Sequence, residues 1–156
     1  MKNKLSFFLI DFPAAIKLLN VDTSPAWGEM NATEMIDHLR KGFELSIVDK
    51  AYDIITPAKH LPKMKSFILS DKPMTMGATK PYSFDTMEPL NLNFEDTKVE
   101  LMRSMIKALS HFEKNPNFTS IHPYFGELNV EEWLALHKKH LRHHLAQFGL
   151  IDVEVE

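Results

Sequence analysis

Eight histidines lie in this 156-residue chain, and four of them fall between positions 137 and 144. The segment Trp133 to Gly149, WLALHKKHLRHHLAQFG, has the apolar spacing of one helix. An α-helix advances about 100° per residue, so Leu141, Leu145 and Phe148 fall within about 40° of Leu134 and form a core stripe. His137, His144 and His140 follow at about −60°, −80° and −120° from Leu134, in a sector shared by Trp133 and Gln147. His143 points to the far side. His140 and His144 are four apart, so one ring stands a turn above the other and the pair can grip one ion. Zinc proteases use that spacing for two helical histidines, although the Glu of their HExxH pattern is absent here. Gln147, three residues after His144, is placed to hydrogen-bond a bound water or substrate.

A metal held firmly with one open position needs a third protein ligand, which must come from a facing helix. His38 is the best candidate. It sits at the edge of an apolar helical face near Met35 and Leu45, and Gly42, one turn later, leaves space beside it. His137 reads as a neighbour of the site, supporting it or partly exposed. His60, His111 and His122 have no partner at useful spacing and read as surface or loop residues. The chain has no cysteine. That excludes a disulfide framework, a thiolate zinc site, an iron–sulfur cluster and a cysteine nucleophile, so any metal ligands must be imidazole and carboxylate. Zinc, nickel, iron and manganese all fit such ligands. Three neutral imidazoles leave the charge of a divalent ion uncompensated and favour an anionic fourth ligand: hydroxide, thiolate or carboxylate. The first, from water with a pKa near ~7, serves hydrolysis; the second serves thiol addition or transfer.

These residues need rigid elements to carry them. Leu5, Phe8, Leu9, Phe12, Ile16 and Leu19 recur at helical spacing. Pro13 either sits in the first turn of a helix running to about Asn20 or kinks a longer one. Asn31 with Glu34 three residues on forms a capping box. Met35, Ile36, Leu39, Phe43 and Ile47 continue that helix to about Asp49. Residues 53–93 hold five of the nine prolines. They read as a long irregular covering segment with a short helix from about Lys59 to Leu69, of the kind that wraps a site. A third long helix is expected from about Asp96 to Glu113, with Val99, Met102, Ile106, Leu109 and Phe112 as its buried stripe. Asn115 to Leu128 reads as a loop. Asn129 and Glu132 form a second capping box, and Gly149 ends the last helix. Four substantial helices without strand pairs imply an all-α bundle.

Length and composition narrow the function classes. The chain fits one domain across residues 1–156. Its apolar share of 44% and charged share of 25% describe a globular protein rather than a disordered one. A net charge of −3 gives no footprint for nucleic acid. No apolar run could span a bilayer, and Asp11 breaks the short apolar stretch near the start, so no signal peptide is expected. A cytoplasmic location follows as the default.

The segments WGEMNATEMIDHLRKGFE (27–44) and HPYFGELNVEEWLALHKKHLRHHLAQFGL (122–150) resemble the DinB-like superfamily. The likeness is closest to uncharacterised bacterial domains with a W-G-x-M start and a KHxxHHLxQFG end. The resemblance implies a four-helix bundle with a long irregular segment between its second and third main helices. It also implies a divalent metal held by three histidines, which map to His38, His140 and His144. Relatives of that superfamily include transferases using low-molecular-weight thiols, so the expected function is a metal-dependent hydrolase or thiol transferase acting on a small molecule. The other reading is a non-catalytic bundle, binding a small ligand or serving as a structural homodimer, in which the histidines are a vestigial pocket. Pocket residues under either reading are His137, Gln147, Trp133 and Gly42.

Overall fold

Pro13 shapes the first element. A proline inside a helix lacks the N–H for its own turn and pushes against the carbonyl four residues earlier. The computed structural model, which describes residues 2–48, 52–76 and 87–152, accommodates it with a wide turn. Helix α1 (Lys2–Ser6) runs into a π-helical turn (Phe7–Asp11), which passes into α2 (Phe12–Lys17) with Pro13 in its first turn. A π turn takes up an extra residue. Phe7 and Phe8 are therefore both buried, together with Phe12, Ile16 and Leu19, whereas Leu9, expected on the stripe, faces solvent. Pro13 thus lies within a longer helix, directly after its distortion.

Helix α3 (Ala32–Ser46) starts as its sequence predicts. The Asn31 side chain accepts from the Glu34 N–H at 2.8 Å, and the Glu34 carboxylate accepts from the Asn31 N–H at 3.0 Å. The helix stops at Ser46, earlier than expected, because the Ser46 hydroxyl turns back to the Phe43 carbonyl and the Ser120 hydroxyl donates to the Ser46 carbonyl at 2.7 Å. Asp49 lies outside the described residues. A 3₁₀ turn (Ala58–His60) leads into α4 (Leu61–Leu69), close to the expected short helix. The middle of the covering segment, with Tyr82, also lies outside the described residues.

Helix α5 (Phe94–Lys114) packs along α3. Its buried stripe differs from the expected one. Leu101, Met105, Ala108, Leu109 and Phe112 face the core, whereas Val99 and Ile106 are 49% and 56% exposed. Small residues decide the face. Ala108 lets the helices approach, and the Ser104 hydroxyl reaches the Glu44 carboxylate at 2.9 Å.

The expected loop before the last helix contains two strands, so the fold is mostly helical rather than all-α. Strands β1 (Thr119–His122) and β2 (Gly126–Asn129) pair antiparallel, with His122 opposite Gly126. Three residues connect them, and Gly126 takes φ +78°, the left-handed position such a hairpin loop needs. The His122 ring holds the loop. Its Nδ1 accepts from the N–H groups of Tyr124 (3.0 Å) and Phe125 (3.4 Å). His122 is therefore a buried structural residue, not a surface one. Strands of four residues containing Gly, Glu and Asn carry little strand propensity, which is why the pattern read as a loop.

Helix α6 (Val130–Gln147) opens with the second capping box, Asn129 with Glu132. It closes in a Schellman motif. The Leu150 N–H reaches the Leu145 carbonyl, the Gly149 N–H reaches that of Ala146, and Gly149 has φ +71°. Helix α6 lies against α2, α3 and α4. Its inner residues Trp133, Leu134, Leu141 and Leu145 join Phe8, Phe12, Met35, Leu39 and Phe112 in one core. No helix among the described residues is long and apolar enough to cross a membrane.

Candidate metal centre

Helices α3 and α6 meet at three histidines. His38 Nε2 lies 2.9 Å from His140 Nε2, and His144 Nε2 lies 3.1 Å from the same atom. The candidate ligand atoms of all three fall within 4.8 Å of one another. The rings stand nearly edge-on to each other, with interplanar angles of 75–79° and centroids 4.7–4.9 Å apart. His144 is buried; His38 and His140 are half-buried, so the trio is partly open to solvent. Gly42 lies against the His140 ring. A Cβ there would meet His140 Nδ1 at 3.7 Å, an ordinary contact, so the space expected beside His38 is filled by the His140 ring.

The protonation of His144 follows from its partners. The Trp27 carbonyl can only accept, and Gln147 Nε2 donates to it at 2.9 Å. The amide oxygen of Gln147 therefore faces His144 Nδ1, 2.6 Å away. Since that oxygen can only accept, Nδ1 carries the proton and Nε2 presents its lone pair to the trio. Gln147 thus orients a ring rather than reaching into the open site. The strap that holds Gln147 is itself constrained. Gly28 has φ +80°, and a Cβ on it would lie 2.9 Å from Gln147 Nε2.

The donor set fits a cation. An imidazole nitrogen carries either one proton or one lone pair. His140 Nε2 cannot hydrogen-bond well to two other ring nitrogens at once, whereas one ion satisfies all three. Tetrahedral zinc with Zn–N bonds near 2.0–2.1 Å would hold its nitrogens about 3.3 Å apart, slightly wider than the separations of 2.9 and 3.1 Å here. No carboxylate joins the group among the described residues. Asp37, next to His38, is buried and engaged with Arg40 at 2.7 Å and Lys41 at 3.5 Å.

The remaining candidates separate clearly. His137 and Trp133 lie in the core beside the trio and not in it. The His137 ring stacks 4.3 Å from Phe43 and 5.5 Å from Trp133. It is fully buried rather than partly exposed, and its Nε2 and the Trp133 Nε1 have no hydrogen-bond partner among the described residues. Burial, with a smaller contribution from the neighbouring His122, pushes the His137 imidazole down to about 3. Burial alone takes His122 to about 3. His60 is exposed as expected. His111 is not a plain surface residue, because its ring meets Phe118 edge-on at 4.4 Å. His143 is not one of the three converging residues, but its ring meets that of His144 edge-on at 5.0 Å and lies 5.6 Å from that of Trp27. Sequence reasoning missed the Trp27 carbonyl; the Gly of W-G-x-M, with its positive φ, was the signal for a close approach there.

A family of proteins of unknown function, DUF1569, matches residues 9–149. The chain belongs to that family. The DUF1569 match takes in His38, His140, His144, Gln147 and the Trp27–Gly28 strap. No curated protein and no solved structure matches the chain.

Proposed function

We propose that this DUF1569 protein is a metal-dependent enzyme of the DinB-like type, a four-helix bundle in which His38, His140 and His144 hold a divalent ion. The observation that carries the reading is the convergence of three Nε2 atoms from two helices on one point, with no protein carboxylate beside them among the described residues. A divalent ion bound there would supply Lewis acidity toward an oxygen or sulfur ligand from solvent or substrate. The chain's own residues do the positioning. Gln147 keeps the His144 lone pair aimed at the ion, and burial of His144 closes the inner side to water. Reactions compatible with this arrangement are hydrolysis and the transfer of a low-molecular-weight thiol. Since the chain has no cysteine, a thiol must arrive as a cosubstrate.

Metal analysis tests the reading. Protein purified without chelator is expected to carry close to one equivalent of a divalent metal. His140→Ala is expected to lose it and His143→Ala to keep it. Equal retention in the two variants would overturn the assignment, and an empty wild type that zinc cannot load would favour a non-catalytic pocket.

A further inference from the structure

Helix α5 carries apolar residues on two opposite faces. Leu101, Met105, Ala108 and Phe112 pack into the core. Val99 and Ile106 stand on the other side, 49% and 56% exposed. Each residue advances about 100°, so Ile106 falls within about 20° of Val99, and Leu101 lies about 160° away from it. Val99 and Ile106 are thus two turns apart on one line, the repeat of a seam between two paired helices. The fold of the single chain makes no use of this ridge.

The charges beside the ridge complement themselves in reverse order. Asp96, Glu100, Arg103 and Lys107 all lie on one flank, about 40–100° from Val99. In a two-fold antiparallel pair of helices this flank faces the same flank of the second copy. With the axis between Leu101 and Met102, Glu100 comes level with Arg103 of the second copy, and Asp96 with its Lys107. Each pair occurs twice. The other charges find no like sign opposite them, since Glu95 comes level with Ala108 and Lys98 with Met105. The contacts these side chains make within one chain are surface ones. Arg103, 74% exposed, stands 3.8 Å from Glu100, and Lys107, 63% exposed, stands 3.2 Å from Glu44. The Asn93 amide donates to Asp96 at 3.1 Å. Exposed pairs of this kind hold their partners weakly.

We propose that the outer face of α5 binds a second copy of this chain. The two α5 helices run antiparallel, Val99 of each packs against Ile106 of the other, and the Glu100–Arg103 and Asp96–Lys107 pairs close one edge. Sedimentation equilibrium of the full chain tests it. A reversible dimer is expected, and Ile106→Glu, which puts a carboxylate on the ridge, is expected to weaken it by about a hundredfold or more. Its circular dichroism should match that of the wild type, because the side chain is exposed in the single chain. Arg103→Glu and Glu100→Arg each set like charges against one another twice. Each variant is expected to be monomeric alone where the wild type is dimeric, and the two mixed are expected to form a 1:1 heterodimer. Leu18→Glu, at an exposed leucine on α2's C-cap, should leave the dimer intact, as should His140→Ala. A wild type that stays monomeric at every concentration would overturn the proposal. So would a dimer that survives Ile106→Glu, one lost in Leu18→Glu, or charge variants that do not pair when mixed.

Discussion

Gln147 spends both ends of its amide on fixed partners, the Trp27 carbonyl and the His144 ring. A residue of this kind sets the tautomer and aim of a ligand without touching the ion, and losing it typically weakens metal binding by 10–100-fold. Gln147→Leu is therefore expected to lower metal affinity by about that factor with the fold intact, measured by competition against a chromophoric chelator. Gly28→Ala should act in the same direction, because the added methyl has to displace the Gln147 amide. The three converging histidines were legible in the sequence because helical geometry puts His140 over His144 and sets His38 at the edge of a facing stripe. The roles of Gln147 and His122 were not. Their partners are backbone groups, at Trp27 and at Tyr124 and Phe125, and spacing between side chains says nothing about where a backbone amide or carbonyl will lie.

At the scale of elements, polar caps were read more reliably than apolar faces. Asn31 and Asn129 open their helices as predicted, because a capping box is a local arrangement of four residues. The buried face of α5 departs from the stripe that bulk alone predicts. Val99 and Ile106 are large but exposed, while Thr97, Ser104 and Ala108 are small and buried. Leu101→Ala is expected to cost about 2–5 kcal/mol in urea unfolding, the range for a buried leucine. Val99→Ala should stay within about 0.5 kcal/mol. A similar loss from both would mean that α5 is rotated from the face described. The hairpin escaped notice for a related reason. It is held by the His122 ring and by Gly126, not by a run of β-branched residues.

For the molecule as a whole, two buried histidines outside the trio, His122 and His137, shape the response to acid. His122 and His137 have imidazoles lowered from 6.5 to about 3, so each is neutral in the folded protein while an unfolded chain would protonate it below 6.5. The unfolded state then binds more protons, and stability is full above pH 6.5 and falls as the pH drops toward 3. At pH 5 the loss is about 2 kcal/mol for each histidine. Urea midpoints at pH 7.5 and pH 5 would show it. His137→Phe, which keeps the stack between Phe43 and Trp133, should flatten the slope; an unchanged slope would assign the acid response to other groups.

His38 and His140 stand 102 positions apart in the chain, yet their ring nitrogens nearly touch. An ion bound between them ties the end of the first quarter of the polypeptide to its last helix. In chain-entropy terms, a cross-link closing a loop of about 100 residues removes about 4.7 kcal/mol of freedom from the unfolded state. A chain without cysteine would thereby gain a brace that no reductant can cut but a chelator can, and its resistance to unfolding would follow metal supply rather than the redox state of its surroundings.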